Sequence, residues 1–105
     1  MPLTRSFKHT VKARAERDVA FREALLTEGV EALLSGDVDT GKAVLRDYVN
    51  ATVGFEQLAA ATGTPVKSLM RMLGPGGNPT AGNVFGVIAE LQKATGVTLQ
   101  VRPTR

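Results

Sequence analysis

The tripeptide Gly63-Thr64-Pro65 constrains this chain more than any other stretch. Proline fixes φ and lacks an N–H, so it suits the opening of a helix and not its interior. Glycine takes the left-handed backbone that a Cβ penalises. Thr64, between them, offers a hydroxyl that can cap the helix that follows. Together they divide Phe55–Leu73 into two short helices that turn sharply at Gly63. Leu58 and Ala59 are an inward pair on the first helix. On the second, Leu69, Met72 and Leu73 share one face and Lys67, Met70 and Arg71 another, because residues three and four apart are helix neighbours. Two helices crossing steeply need a small residue at the contact and apolar residues on the inner face of the second.

The chain has 105 residues, enough for one domain with a real core. Its 43% apolar content is that of a globular protein. With four Phe, one Tyr and no Trp, the core is expected to be aliphatic. There is no cysteine, which excludes disulfides and thiolate zinc sites and fits a cytoplasmic location. No apolar run approaches a membrane span, and no secretory core is expected at the N-terminus. The basic helix expected there leads straight into more helix, unlike a cleaved targeting peptide.

The net charge of +3 is unevenly spread. Residues 1–17 carry Arg5, Lys8, Lys12, Arg14 and Arg17 against Glu16 alone. Residues 18–58 are acidic: Asp18, Glu23, Glu28, Glu31, Asp37, Asp39, Asp47 and Glu56 face Arg22, Lys42 and Arg46. From residue 59 onward Lys67, Arg71, Lys93, Arg102 and Arg105 are opposed by Glu90 alone. A polyanion would meet the two basic parts and be repelled by the middle.

The spacing predicts a basic helix over 4–17, with Phe7, Val11 and Ala15 on its packed side. Asp18 is expected to cap a second helix running to about Leu34, with a stripe of Phe21, Ala24, Leu25, Gly29, Ala32 and Leu33. Gly29 there would admit a close neighbour. Ser35-Gly36 ends that helix. A third starts at Asp37 or Asp39 and ends at Gly54. Its apolar side is Val38, Gly41, Leu45, Tyr48, Val49 and Thr52, and its polar side Lys42, Arg46, Asp47 and Asn50. After Leu73 the run Gly74-Pro75-Gly76-Gly77-Asn78-Pro79 cannot be helical and reads as a connector. Thr80 then caps a helix with the stripe Val84, Val87, Ile88 and Leu91, flanked by Phe85 and stopped by Gly96. Val97, Leu99 and Val101 alternate with polar residues, which predicts a short strand ended by Pro103. A lone strand has to pair with a second copy, pair with another protein, or stay frayed.

Two motifs near the third helix fail on inspection. Gly36 to Lys42 approaches a phosphate-binding loop, but Ala43 stands where the magnesium-binding hydroxyl belongs and no strand precedes it. Asp37-x-Asp39-x-Gly41 hints at a calcium loop, but Tyr48 occupies the closing glutamate position. His9 has no second His or Cys nearby and reads as an exposed helical side chain. No nucleophile–base pair and no metal cluster stands out, so neither an enzyme nor a cofactor or metal is expected.

The run from Phe55 to Val101 resembles the Xre/Cro-like helix-turn-helix family. Leu58, Ala59, Gly63, Leu69 and Met72 meet the family's turn pattern, with Thr64 standing where many members carry a branched aliphatic residue. It is most similar to the branch of addiction-module antidote (antitoxin) proteins, in which a Pro-x-Gly-Asn-Pro loop follows the second helix. Here that loop is Pro75-Gly76-Gly77-Asn78-Pro79. The resemblance covers residues 38–102. It implies an all-α, lambda-repressor-like bundle with a short C-terminal strand, occupying residues 37–105. Residues 1–36 would be a helical extension packed on it.

The same resemblance implies a dimeric transcriptional regulator on palindromic operator DNA, an autorepressor that also neutralises a small toxin encoded beside it. The helix from Pro65 would enter the major groove. Val66, Lys67, Met70 and Arg71 would face bases, since Arg or Lys donates to guanine and an apolar side chain touches the thymine methyl. Ser68, Asn78 and Thr80, with Gln57 and Thr64, are candidate backbone contacts. Val97, Leu99 and Val101 would pair two copies, setting recognition helices ~34 Å apart. The alternative is a protein-binding helical module with vestigial DNA binding, docking a basic toxin on Glu23, Glu28 and Glu31.

Overall fold

The computed structural model describes residues 5–105, with side chains from His9 onward. The expected packing of Phe7 therefore lies outside the described residues. Six helices follow one another: α1 (Arg5–Arg17), α2 (Val19–Leu34), α3 (Val38–Ala51), α4 (Gly54–Thr62), α5 (Val66–Met72) and α6 (Ala81–Thr95). The fold is all-α, as expected. None of these helices is long and apolar enough to cross a membrane.

The cap residues explain most of the boundaries. Asp18 Oδ1 accepts the Phe21 N–H at 3.1 Å, Asp37 Oδ1 accepts that of Thr40 at 3.3 Å, and Thr80 Oγ1 accepts that of Asn83 at 3.2 Å. Gly63 and Gly96 end α4 and α6 in the left-handed conformation, with φ of 70° and 75°. α3 stops at Ala51, short of Gly54, because Thr52 turns out of the helix at φ −119° and its hydroxyl donates to the Tyr48 carbonyl at 2.7 Å.

α2 and α3 pack through glycine. A Cβ on Gly41 would stand 2.6 Å from Leu33 Cγ and 3.1 Å from the Gly29 carbonyl oxygen, and one on Gly29 would stand 3.3 Å from Val44 Cγ1. The close approach anticipated for Gly29 is therefore present. The expected stripe on α2 is rotated, however. Leu26 is fully buried at its centre, while Ala24 is exposed. α2 touches both α1 and α3, so it is apolar on more than one side and periodicity alone does not single out Leu26.

The core joins Leu26 of α2, Leu45, Tyr48 and Val49 of α3, Phe55 and Leu58 of α4, Leu69 and Met72 of α5, and Val87, Ile88 and Leu91 of α6. Burying this aliphatic surface is the main stabilising term. Polar ties then fix the orientation of the helices. The Tyr48 hydroxyl donates to Thr95 Oγ1 at 2.8 Å, joining α3 to the end of α6. The Arg22 guanidinium donates to the Ala15 carbonyl at 2.6 Å, capping α1 from α2, and Arg14 lies 4.8 Å over the Phe21 ring.

The expected C-terminal strand is corrected. Residues 97–105 form no strand, nor does any other described segment. Val97 is buried in the core and Leu99 packs partly against it, with Thr98 and Gln100 exposed between and after them, but Val101 is 80% exposed, so the alternation in burial stops at Leu99. No other described segment supplies a strand to pair with. Instead, the Leu99 N–H donates to the Gln92 side chain at 2.8 Å, which ties the segment to α6.

Candidate functional site

The turn between α4 and α5 is built largely as its sequence dictates. Gly63 takes the left-handed conformation and its N–H donates to the Ala59 carbonyl at 2.9 Å. The Thr62 hydroxyl donates to the Leu58 carbonyl at 2.8 Å and accepts the Thr64 N–H at 3.3 Å. One expectation is corrected here. Pro65, not Thr64, is the residue flanking α5, with extended ψ of 146°, and the helix begins at Val66. The Pro65 carbonyl accepts the first helical N–H, from Leu69, at 3.1 Å, and no side chain caps this end. Proline's fixed φ already has the half-in geometry a cap position needs, so the boundary falls one residue later.

α5 buries Leu69 and Met72 and turns Lys67, Ser68, Met70 and Arg71 outward. Val66, expected among the outward residues, is half-buried and packs against the core. Gln57 is exposed on α4 and Pro65 is exposed at the turn. None of the ion pairs among the described residues uses Lys67 or Arg71. No acidic side chain occurs from Gln57 to Ala89, the stretch that carries both cations.

Beside this face is an open cleft of about 340 Å³ between α5 and the start of α6. Thr64, Ser68 and Arg71 line one wall, and Asn78, Thr80 and Asn83 the other. Five of the residues singled out from sequence thus come together in one groove of hydroxyl, amide and guanidinium groups. Such a set offers several donors and one positive charge. Thr62 and Asn83 are additions to it that no sequence pattern marked.

The floor of the cleft depends on the glycine loop. A Cβ on Gly77 would overlap the Arg71 carbonyl oxygen and stand 2.9 Å from that of Met72. A Cβ on Gly74 would stand 2.9 Å from the Met70 carbonyl oxygen. The loop therefore folds back onto the last turn of α5 at a distance only glycine allows. Lys42 of α3 holds it there. Its ammonium donates to the carbonyls of Gly77 at 2.7 Å and Gly74 at 3.2 Å. Arg46, one turn later, reaches the Leu73 carbonyl at 3.5 Å. Two cations thus sit at the C-terminal, electronegative end of α5. Both were expected on the exposed side of α3, yet Lys42 is only 4% exposed. The docking of the loop, which periodicity in α3 does not report, buries it.

Val97, Leu99 and Val101, proposed from sequence as a pairing strand, lie at the far end of α6 and take no part in the cleft. His9 is exposed on α1. Among the described residues no three His, Cys, Asp or Glu side chains gather as a metal site. Comparison of the chain with protein-family models, with curated proteins and with solved structures returns no match.

Proposed function

We propose that the chain is a sequence-specific DNA-binding regulator of the Xre/Cro-like helix-turn-helix type, with α5 as the helix that enters the major groove. The observation that carries this reading is the outward face of α5 together with the adjoining cleft. Lys67 and Arg71 are exposed, and hydroxyl and amide groups from two helices converge beside them in a region without acidic side chains. In this reading Lys67, Met70 and Arg71 meet base edges, and Ser68, Asn78 and Thr80 fix the register on the phosphates. The chain acts as a homodimer on a palindrome, as an antitoxin-type autorepressor of its own operon. Replacing Lys67 and Arg71 together by alanine tests this. Binding to the duplex immediately upstream of its own reading frame should be lost while the helical circular dichroism and melting temperature stay as in the wild type. Unchanged affinity would sink the reading.

A second reading is favoured by a different surface. Glu28 and Glu31 of α2 are exposed close to Leu34, which is 65% exposed, and Val38 at the start of α3 is 46% exposed. An acidic surface with apolar side chains suits a basic protein partner, such as a toxin to be neutralised. Co-purification of a basic partner, lost in Glu28→Lys/Glu31→Lys, would support it. Tight DNA binding with no protein partner from a native extract would count against it.

A further inference from the structure

Lys42 is the charged side chain buried among the described residues. Its ion-pair partner, Asp39, lies at 3.6 Å but is 93% exposed, so water screens that attraction. The carbonyls of Gly74 and Gly77 are the partners that hold the ammonium. An ammonium is costly to bury and an apolar side chain would fill the space more cheaply. What the lysine adds is a fixed position for two carbonyls at the end of α5. Those carbonyls belong to the loop that carries Asn78 and Thr80 to the wall of the cleft opposite Arg71.

We infer that Lys42 is a positioning residue for nucleic-acid binding: it pins the loop 74–79 onto the last turn of α5 and so sets the spacing between Arg71 and the Asn78–Thr80 wall. The inference rests on the DNA-binding reading above. Lys42 cannot reach DNA itself, because it is buried behind the loop it holds. Its removal acts on DNA binding through the loop. The glycines make the arrangement sensitive, since Gly77 already packs against the Arg71 carbonyl as closely as a backbone without Cβ permits.

The test is Lys42→Met in the full chain, with two readouts. The first is amide hydrogen exchange. Exchange at Gly74, Gly76, Gly77 and Asn78 should quicken, while the amides of α3 and α6 stay protected as in the wild type. The second is affinity for the duplex upstream of its own reading frame and for a mixed-sequence duplex of equal length, at several salt concentrations. The preference for the first duplex should fall roughly tenfold, the size of losing one specific contact. The salt dependence should not change, because Lys42 touches no phosphate. If Lys42→Met lacks a cooperative thermal transition, Lys42→Gln, which keeps a donor on a shorter stem, replaces it in the same comparison. Unchanged loop exchange with unchanged preference overturns the inference. So does equal weakening on both duplexes with a shallower salt slope, which would make Lys42 a direct phosphate ligand. A wild-type chain that binds neither duplex overturns the DNA-binding reading, and the inference with it, before any variant is compared.

Discussion

The Lys42 ammonium lies 2.7 Å from the Gly77 carbonyl oxygen, a hydrogen bond that spans 35 positions of sequence and joins α3 to the loop after α5. A charged donor on a carbonyl is stronger than a neutral one, and here it is also shielded from water. The bond works because Gly77 can lie against the Arg71 carbonyl. Gly77→Ala forces the loop away from α5 and lengthens the Lys42 bond. The expected loss is about 1–3 kcal/mol of stability, measured by urea unfolding, typical of an overpacked site. An unchanged midpoint would mean that the loop is not held as described.

Lys67 and Arg71 carry the electrostatic part of the DNA-binding reading. If both meet the nucleic acid, replacing them removes up to two cationic contacts. At low salt, where residual binding by the double variant is still measurable, the slope of log affinity against log salt should be shallower by up to ~1.8. Stability should shift by no more than about 0.5 kcal/mol, because both side chains are exposed and outside the ion pairs of the described residues. A filter-binding series across salt concentrations measures the slope, and thermal melts measure the stability. A full wild-type slope in the double variant would place the contact elsewhere.

Gly63 and Gly86 should respond to alanine in opposite directions. Gly63 holds φ at 70°, where a Cβ clashes with its own backbone even though its surroundings are open. Gly63→Ala should cost about 1–2 kcal/mol. Gly86 lies inside α6 and a Cβ there would meet nothing within 4 Å. Gly86→Ala should therefore stabilise by up to about 1 kcal/mol through helix propensity. In a domain of this size that raises the melting temperature by roughly 4–8 °C. A Gly86→Ala variant that melts lower than wild type would refute the open surroundings described for α6.

These glycines also mark where the sequence was legible. The left-handed turns at Gly63 and Gly96 and the caps at Asp18 and Thr80 follow from local chemistry, and local chemistry is readable from adjacent residues. The inward faces of α4, α5 and α6 follow from periodicity. Leu26 was missed because α2 packs on two sides. Lys42 was missed because its partners are carbonyls at positions 74 and 77, and a backbone carbonyl leaves no mark in a sequence. The cleft was half legible. Ser68, Arg71, Asn78 and Thr80 were found by position in a motif, but only the fold brings Thr62 and Asn83 to the same groove. The strand over 97–101 rests on an alternation of apolar and polar residues that the structure follows in burial only through Val97 and Leu99. Alternation, however, reports one packed face, while a strand also needs a neighbour along its edge.

Tyr48 gives the chain an alkaline limit. It is fully buried, and burial pushes its hydroxyl above the ordinary value of 10.0, against smaller opposing effects from the Thr95 hydrogen bond and the Arg22 charge. In the unfolded chain the phenol is solvated and ionises near that ordinary value. Above it, the unfolded state has lost a proton that the native state retains. Stability must then fall with rising pH, since the unfolded state binds fewer protons. Below pH 10 the contribution is present in full; it is lost progressively as pH climbs toward the raised native value. Tyr48→Phe removes this titration and also the bond to Thr95, so it should lower stability at neutral pH by about 1 kcal/mol. Its further decline between about pH 9 and 11 should be shallower than that of the wild type. Urea midpoints at a series of pH values separate the two effects. Parallel curves for the two proteins would show that Tyr48 is not the group that sets the alkaline limit.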